Sequence, residues 1–318
     1  MSDFAVDERI RRVQESIDKI YSSGNALGED GQLYSVLPTS VTPSRSRFIS
    51  KMCLSEGAKT CVETGMAWGL STLTIVAALI RNGAEPRAHV VMDPWQFSHF
   101  HNAGVRVVKD AGEGAMIEFH EQPSELVLPR LLAEGRTFDF AYIDADHEFQ
   151  AAFVEFFYCD RLLKPGGLLV IDDYDVHGVR LTCEFAELYH GYQLLGEDFE
   201  GVRPHKERSW FGLGKPVPSL PWIRAYRKPM ESLDRETFKL MPMFMNSPQY
   251  RRYASNRLRR QGLSALAGGD QAAARRMLRD AMRAEPDHLK PYLAYLRSFL
   301  PRKLADALSS QKNRSPAA

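Results

Sequence analysis

Glu63-Thr64-Gly65-Met66-Ala67-Trp68-Gly69-Leu70-Ser71 is the stretch whose reading decides the fold of this chain. The apolar run Thr60 to Val62 ahead of it reads as a strand, and Ser71 to Arg81 behind it reads as a helix. A turn between the two uses its glycines. Gly65 lets the backbone turn tightly and approach a ligand, and Gly69 permits close strand–helix packing. The helix start offers free N–H groups and a positive dipole end to an anion, with the Ser71 hydroxyl as a further donor. A dinucleotide loop would read G-x-G-x-x-G. Two glycines four apart, with an acid at the strand end, fit a pyrophosphate poorly.

Working outward, short apolar runs recur at His89 to Met92, Met116 to Phe119, Phe138 to Ile143 and Leu168 to Ile171. Helix-length stretches such as Glu148 to Leu163 separate them. Strands that are apolar throughout belong where both sheet faces are covered, so the pattern predicts an α/β domain with a parallel sheet between helical layers. Tyr192 to Leu195 and Ser209 to Leu213 read as a terminal antiparallel pair. This domain spans 43–215, after an N-terminal segment, 1–42. In that segment Val6, Ile10, Val13, Ile17 and Ile20 recur at helical spacing, and Thr42-Pro43 reads as an N-cap and first-turn proline.

The proline-rich stretch 216–229 reads as a linker into a helical extension, 216–308, with a disordered tail over 309–318. Leu258, Gly262, Ala265, Ala274, Leu278, Ala281 and Pro286, turning at Gly268-Gly269-Asp270, resemble one tetratricopeptide-type hairpin. One such repeat cannot bury its own face. It is therefore expected to dock on the main domain, on a second subunit in a homodimer, or on a partner. From Arg257 to Lys303 there are eleven basic residues and four acids, which read more simply as a solvated face than as a nucleic-acid surface.

The bulk numbers bound the rest. The chain has 318 residues, 44% hydrophobic and 25% charged, with a net charge of +1, so no overall field argues for nucleic acid or a membrane surface. Four cysteines without C-x-x-C spacing point to reduced thiols. The charged start MSDFAVDERIRRVQ lacks a signal peptide's apolar run, and no segment is long and apolar enough to span a membrane. A cytoplasmic protein is the expectation.

The E-x-G-x-x-x-G-x-S loop resembles motif I of class I S-adenosylmethionine-dependent methyltransferases, especially small-molecule O-methyltransferases of the catechol and natural-product type. Tyr142-Ile143-Asp144-Ala145-Asp146-His147 and Lys164-Pro165-Gly166-Gly167, followed by Asp172-Asp173-Tyr174, extend the likeness to bacterial D-x-D-H methyltransferases and macrolide-sugar O-methyltransferases. The resemblance implies a Rossmann-like, doubly wound, mostly parallel sheet of seven strands. It also implies that S-adenosylmethionine is held by Glu63, Thr64, Gly65, Met66, Ala67, Gly69 and Ser71.

Asp93, just past the second strand, would accept bonds from both ribose hydroxyls, or else cap a helix. Gln122 and Ser124 fall where the family surrounds adenine, although Ser124 reads equally as the start of a helix over Glu125 to Ala133.

The acids Asp144, Asp172 and Asp173 should share the ligand-binding edge of the sheet. By resemblance they are ligands of a magnesium ion, with Asp144 also touching the cofactor. The alternative is that they only bind the cofactor amine or cap helices. This sequence has Asp172 where the sugar enzymes carry a glutamate. His147 is the implied base for an alcohol's proton, against a histidine that merely orders its loop. Trp95, Phe97, His99, Phe100 and His101 would line an acceptor pocket or pack in the core, and Tyr34 to Arg47 would form a lid. The expected activity is O-methylation of a small-molecule hydroxyl on a sugar or secondary metabolite. The competing readings are an NAD-type oxidoreductase and a non-catalytic interaction protein.

Overall fold

The computed structural model describes residues 3–37, 39–198, 220–231, 248–286 and 289–299. The chain divides into two compact units, 1–233 and 234–318.

The first unit opens with helix α1 (Asp3–Ser23), whose Val13, Ile17 and Ile20 are buried as their spacing predicts. A two-stranded hairpin, β1 (Asn25–Leu27) and β2 (Leu33–Ser35), follows where glycines suggested only a break. Helix α2 (Pro43–Ser55) starts as expected, with Thr42 Oγ1 accepting the Arg45 N–H at 3.3 Å and Pro43 in the first turn.

Strands and helices then alternate: β3 (Cys61–Thr64), α3 (Leu70–Arg81), β4 (His89–Met92), α4 (Ala103–Asp110), β5 (Ile117–His120), α5 (Ser124–Ala133), β6 (Phe138–Ile143), α6 (Phe149–Leu162), β7 (Leu163–Ile171), α7 (His177–His190), β8 (Gln193–Asp198) and β9 (Ile223–Arg227). The sheet order is β5-β4-β3-β6-β7-β9-β8, with β3 to β7 parallel and β9 antiparallel to both its neighbours. Every residue of β3 and β4 is buried, as strands covered on both faces require. Phe140 and Tyr142 of β6 join one apolar core with α1, α2 and α3, while Ala141 and Ile143 are buried outside it. The two faces of β6 therefore serve different layers.

The sheet order reverses between β3 and β6, which places the residues just after these strands at the crevice where open α/β sheets bind ligands. Backbone bonds fix the crevice walls: Gly65 N–H donates to Met92 O at 2.9 Å and Asp144 N–H to Thr64 O at 3.0 Å.

Two expectations shift. The partner of β8 is β9, drawn from inside the stretch expected to be a linker. The proposed strand Ser209 to Leu213 lies outside the described residues. Ile223, Ala225 and Tyr226 are fully buried, and the segment satisfies its ladder on both sides by inserting between β7 and β8. The sheet domain thus runs past 215. Pro221 and Pro229 lie on either side of β9, so those two prolines bound a strand.

The second unit contains α8 (Pro248–Ala267), α9 (Gln271–Ala284) and α10 (Leu289–Arg297). Asp270 caps α9, accepting the Ala273 N–H at 2.9 Å. Ala274, Leu278 and Ala281 are buried, and a Cβ on Gly262 would come within 2.8 Å of Leu278, so glycine sets how closely α8 and α9 pack. The tail 309–318 lies outside the described residues. All four cysteines are unpaired and buried. Among the described residues, no helix is long and apolar enough to cross a membrane.

Candidate active site

A cavity of about 940 Å³ opens at the crevice. The loop after β3 contributes Gly65, Met66, Ala67 and Ser71, the end of β4 contributes Asp93, the start of α5 contributes Ser124, and the ends of β6 and β7 contribute Asp144, His147 and Asp173. Thr39, Ser40, Val41 and Arg45 of the expected lid segment also line it, as do Trp95 and Phe100. Phe97, 73% exposed, and His99 do not, while His101 stacks on Tyr34 at 3.8 Å between ring centroids.

Gly65 has φ +84, and a Cβ there would stand 2.1 Å from the Asp144 carbonyl oxygen, so only glycine fits between the two strand ends. Ala67 has φ +44, a left-handed conformation that costs a non-glycine residue roughly 1 kcal/mol or more. Asp93 holds it there. Its Oδ2 accepts the Met66 N–H at 3.0 Å, the Ala67 N–H at 2.8 Å and Gln96 Nε2 at 3.2 Å, and its Oδ1 accepts the Trp95 N–H at 2.8 Å. The carboxylate expected to hold a ribose is thus first of all the anchor of the loop.

Four expected cofactor residues do not reach the cavity. Glu63 is fully buried in the seam between β3 and α3, accepting the Ser71 hydroxyl at 2.6 Å and the Thr72 hydroxyl at 2.9 Å, with His89 Nε2 at 2.9 Å. It ties the helix start to the strand and leaves no oxygen for a ligand. Thr64 is buried beside it, and Gly69 packs on Gly104 and Val107. Gln122 turns outward and accepts a bond from Arg130 at 3.1 Å. Ser124 begins α5, and its hydroxyl donates to Glu155 Oε1 at 2.7 Å rather than capping the helix.

Glu155 is a residue that sequence reasoning missed. It lies on α6, is 1% exposed, lines the cavity, and its Oε2 has no hydrogen-bond partner. Burial pushes its carboxyl up to about 8, against the Ser124 bond. A lone acid within the apolar run Ala151 to Tyr158 was the available signal.

The acid cluster also differs from expectation. Asp172 has no side-chain exposure. Its Oδ1 accepts Arg45 Nη1 at 2.9 Å and the Asp173 N–H at 2.8 Å, and its Oδ2 accepts the Tyr142 hydroxyl at 2.9 Å. The Tyr142 hydroxyl also lies 3.0 Å from Asp144 Oδ2, and Arg45 reaches Asp173 Oδ1 at 3.3 Å. Buried behind Arg45 and Tyr142, Asp172 does not line the cavity. The atoms that do converge are those of Asp144, His147 and Asp173, within 4.8 Å of one another. Two carboxylate oxygens would suit a magnesium ion that kept its waters, but the third atom is an imidazole nitrogen and the Arg45 guanidinium already sits on Asp173, so the set fits that hard ion poorly.

His147 Nε2 stands 2.9 Å from Asp173 Oδ2 and 3.7 Å from Asp144 Oδ1. Bonding to Asp144 and Asp173 raises it to about 10, which favours the protonated ring. Asp144 is raised in turn by burial and by Asp172.

Residues 62–174 match a family model described as a methyltransferase domain. Among similar proteins, caffeoyl-CoA O-methyltransferase 2 of Zea mays is 31% identical over 133 residues, which cover 40% of this chain and 46% of that protein. The catechol O-methyltransferase of Niastella koreensis is 28% identical over 160 residues, 49% of this chain and 66% of that protein. The chain spans about half the length of the curated relatives it matches, from 43% of tricin synthase 2 to 66% of the Niastella protein. Among solved structures, an O-methyltransferase from Bacillus cereus in complex with SAH aligns with a TM-score of 0.48 at 18% identity, covering 69% of this chain and 91% of that one. Over residues 62–174 this chain thus matches a methyltransferase domain, and the proteins it is similar to there are O-methyltransferases.

Proposed function

We propose that the protein transfers a methyl group from S-adenosylmethionine to a hydroxyl oxygen of a small molecule. The observation that carries this reading is the cavity at the β3/β6 switch point, floored by a loop that a buried carboxylate holds in a strained left-handed turn. The residues present suit the donor. Gly65, Met66, Ala67 and Ser71 would receive its amino-acid end, and Ser124 and Glu155 stand on the wall where its base would lie. Asp93 Oδ1, with one donor against three on Oδ2, keeps lone pairs for ribose hydroxyls. When bound, the donor supplies a methyl group on a cationic sulfur, open to in-line displacement by an oxygen.

The chain's own residues would position the acceptor and take its proton. Asp144 lines the cavity, and its Oδ1, 3.7 Å from His147 Nε2 and not the oxygen bonded by Tyr142, would be the one offered to a hydroxyl proton. His147, held by Asp173, would stabilise the resulting oxyanion as a fixed cation. Thr39 to Arg45 close the mouth and exclude water. A cytoplasmic site of action and dimer formation through the helical extension belong to the same proposal.

The test is thermal denaturation with saturating S-adenosylhomocysteine and, separately, NADH. At about one hundred times Kd a ligand adds roughly 2.7 kcal/mol, which raises Tm by several degrees in a domain of this size. The expected result is a shift with S-adenosylhomocysteine alone. A shift with NADH alone would return the protein to the oxidoreductase reading.

A further inference from the structure

Asp144, Asp172 and Asp173 crowd the ends of β6 and β7, and carboxylates so close stay ionised together only beside positive charge. The chain supplies that charge itself. We infer that Arg45 is the resident counter-cation of this acid cluster and that its guanidinium excludes a divalent metal ion from the site.

Arg45 reaches the cluster from the first turn of α2, far away in sequence. Nη1 lies 2.9 Å from Asp172 Oδ1 and 3.3 Å from Asp173 Oδ1. The other side of the guanidinium is covered by Trp222, with the ring centroid 4.3 Å from Cζ. The backbone beneath is fixed by the Thr42 cap, and the neighbouring Ser44 hydroxyl donates to Asp198 Oδ2 at 2.7 Å. Held by carboxylates, indole and cap, the side chain is only 12% exposed. It is part of the cluster and not a surface arginine that has swung in.

Its effect on a metal follows from the ligand count. Arg45 and Tyr142 take both oxygens of Asp172, and Arg45 takes one of Asp173. What remains is Asp144 Oδ1, Asp173 Oδ2 and His147 Nε2, with the ring nitrogen already bonded to Asp173. An ion there would have to displace that bond while a guanidinium sat on the same carboxylate, and the repulsion between two cations at this range is large in a half-buried site.

The inference concerns the same site as the proposed methyl transfer but rests on its charges and not on its reaction. Its test uses the full chain and Mn2+ alone, an ion that accepts both oxygen and imidazole ligands. Electron paramagnetic resonance counts free Mn2+ during a titration of the wild type and of Arg45→Ala, with Arg45→Gln as a second variant should alanine unfold the chain. The wild type is expected to leave the ion free up to about millimolar concentration, and the variant to bind one ion at least about tenfold more tightly. Stoichiometric binding by the wild type, lost in Asp144→Asn, would overturn the inference. So would a folded Arg45 variant that binds no better than the wild type. No methyl donor enters the measurement, so its failure leaves the proposed function standing, and loss of donor binding would leave this inference standing.

Discussion

Glu155→Gln is expected to stabilise the protein, by an amount that grows with pH. The wild-type carboxyl is 1% exposed, and burial pushes it from an ordinary 4.5 up to about 8. The folded state therefore holds a proton that the unfolded state has lost between these two values. Because the folded value is the higher one, its contribution to stability is fully present below pH 4.5 and is lost as pH rises through 8. Glutamine keeps the side chain's size and its acceptor for Ser124 but cannot ionise. The difference between variant and wild type should be within about 1 kcal/mol at pH 5 and grow to about 4 kcal/mol at pH 9. Urea unfolding at the two pH values reads it directly. An equal difference at both would mean that Glu155 ionises in the folded chain as easily as in the unfolded one, and the buried-acid account would be lost.

How much of this was legible in the residues depends on whether a signal was local. The β3 loop, the Asp144-Ala145-Asp146-His147 turn and the alternation of apolar runs each lie within a few residues, and all appear where the sequence places them. The direction of a carboxylate is not local. Glu63 and Asp93 look alike at strand ends, yet one closes the seam between β3 and α3 and the other anchors the loop; only the packing of Ser71, Thr72 and His89 around Glu63 decides this. Asp172 and Asp173 are adjacent just past the end of β7, and a left-handed backbone at Asp173 (φ +52) parts them, so that one is buried against Tyr142 and the other lines the cavity, with Arg45 bonding both. Arg45 joins them from 127 residues away, a pairing that no spacing rule reports. The strand β9 was hidden because Pro221 and Pro229 flank it, and prolines at both ends of a short apolar segment look the same from outside as a linker.

Asp93→Ala should be the most damaging single change at the site, because it acts on the loop's shape before it acts on any ligand. The carboxylate accepts four donors, and alanine would leave the Met66, Ala67 and Trp95 N–H groups without their acceptor, while the Gln96 amide keeps its bond to the Ala67 carbonyl at 2.6 Å. Each orphaned buried donor costs about 1–3 kcal/mol, and with part of that recovered by relaxation or entering water the expected loss is about 3–5 kcal/mol. Ala67 would also be freer to leave φ +44, held then only through its carbonyl, which accepts Gln96 Nε2 at 2.6 Å. The loop should therefore relax and the cavity floor with it. S-adenosylhomocysteine affinity should fall by at least about a hundredfold, since about 2.7 kcal/mol of pre-organisation is lost with the turn. Asp93→Asn should fall between the two proteins: one oxygen still accepts, while the amide group confronts donors. Calorimetric titration beside urea unfolding separates the parts. If Asp93→Ala kept its stability but lost the ligand, the carboxylate would be a ribose contact only. If it lost stability but bound the ligand normally, the loop would not be what shapes the site.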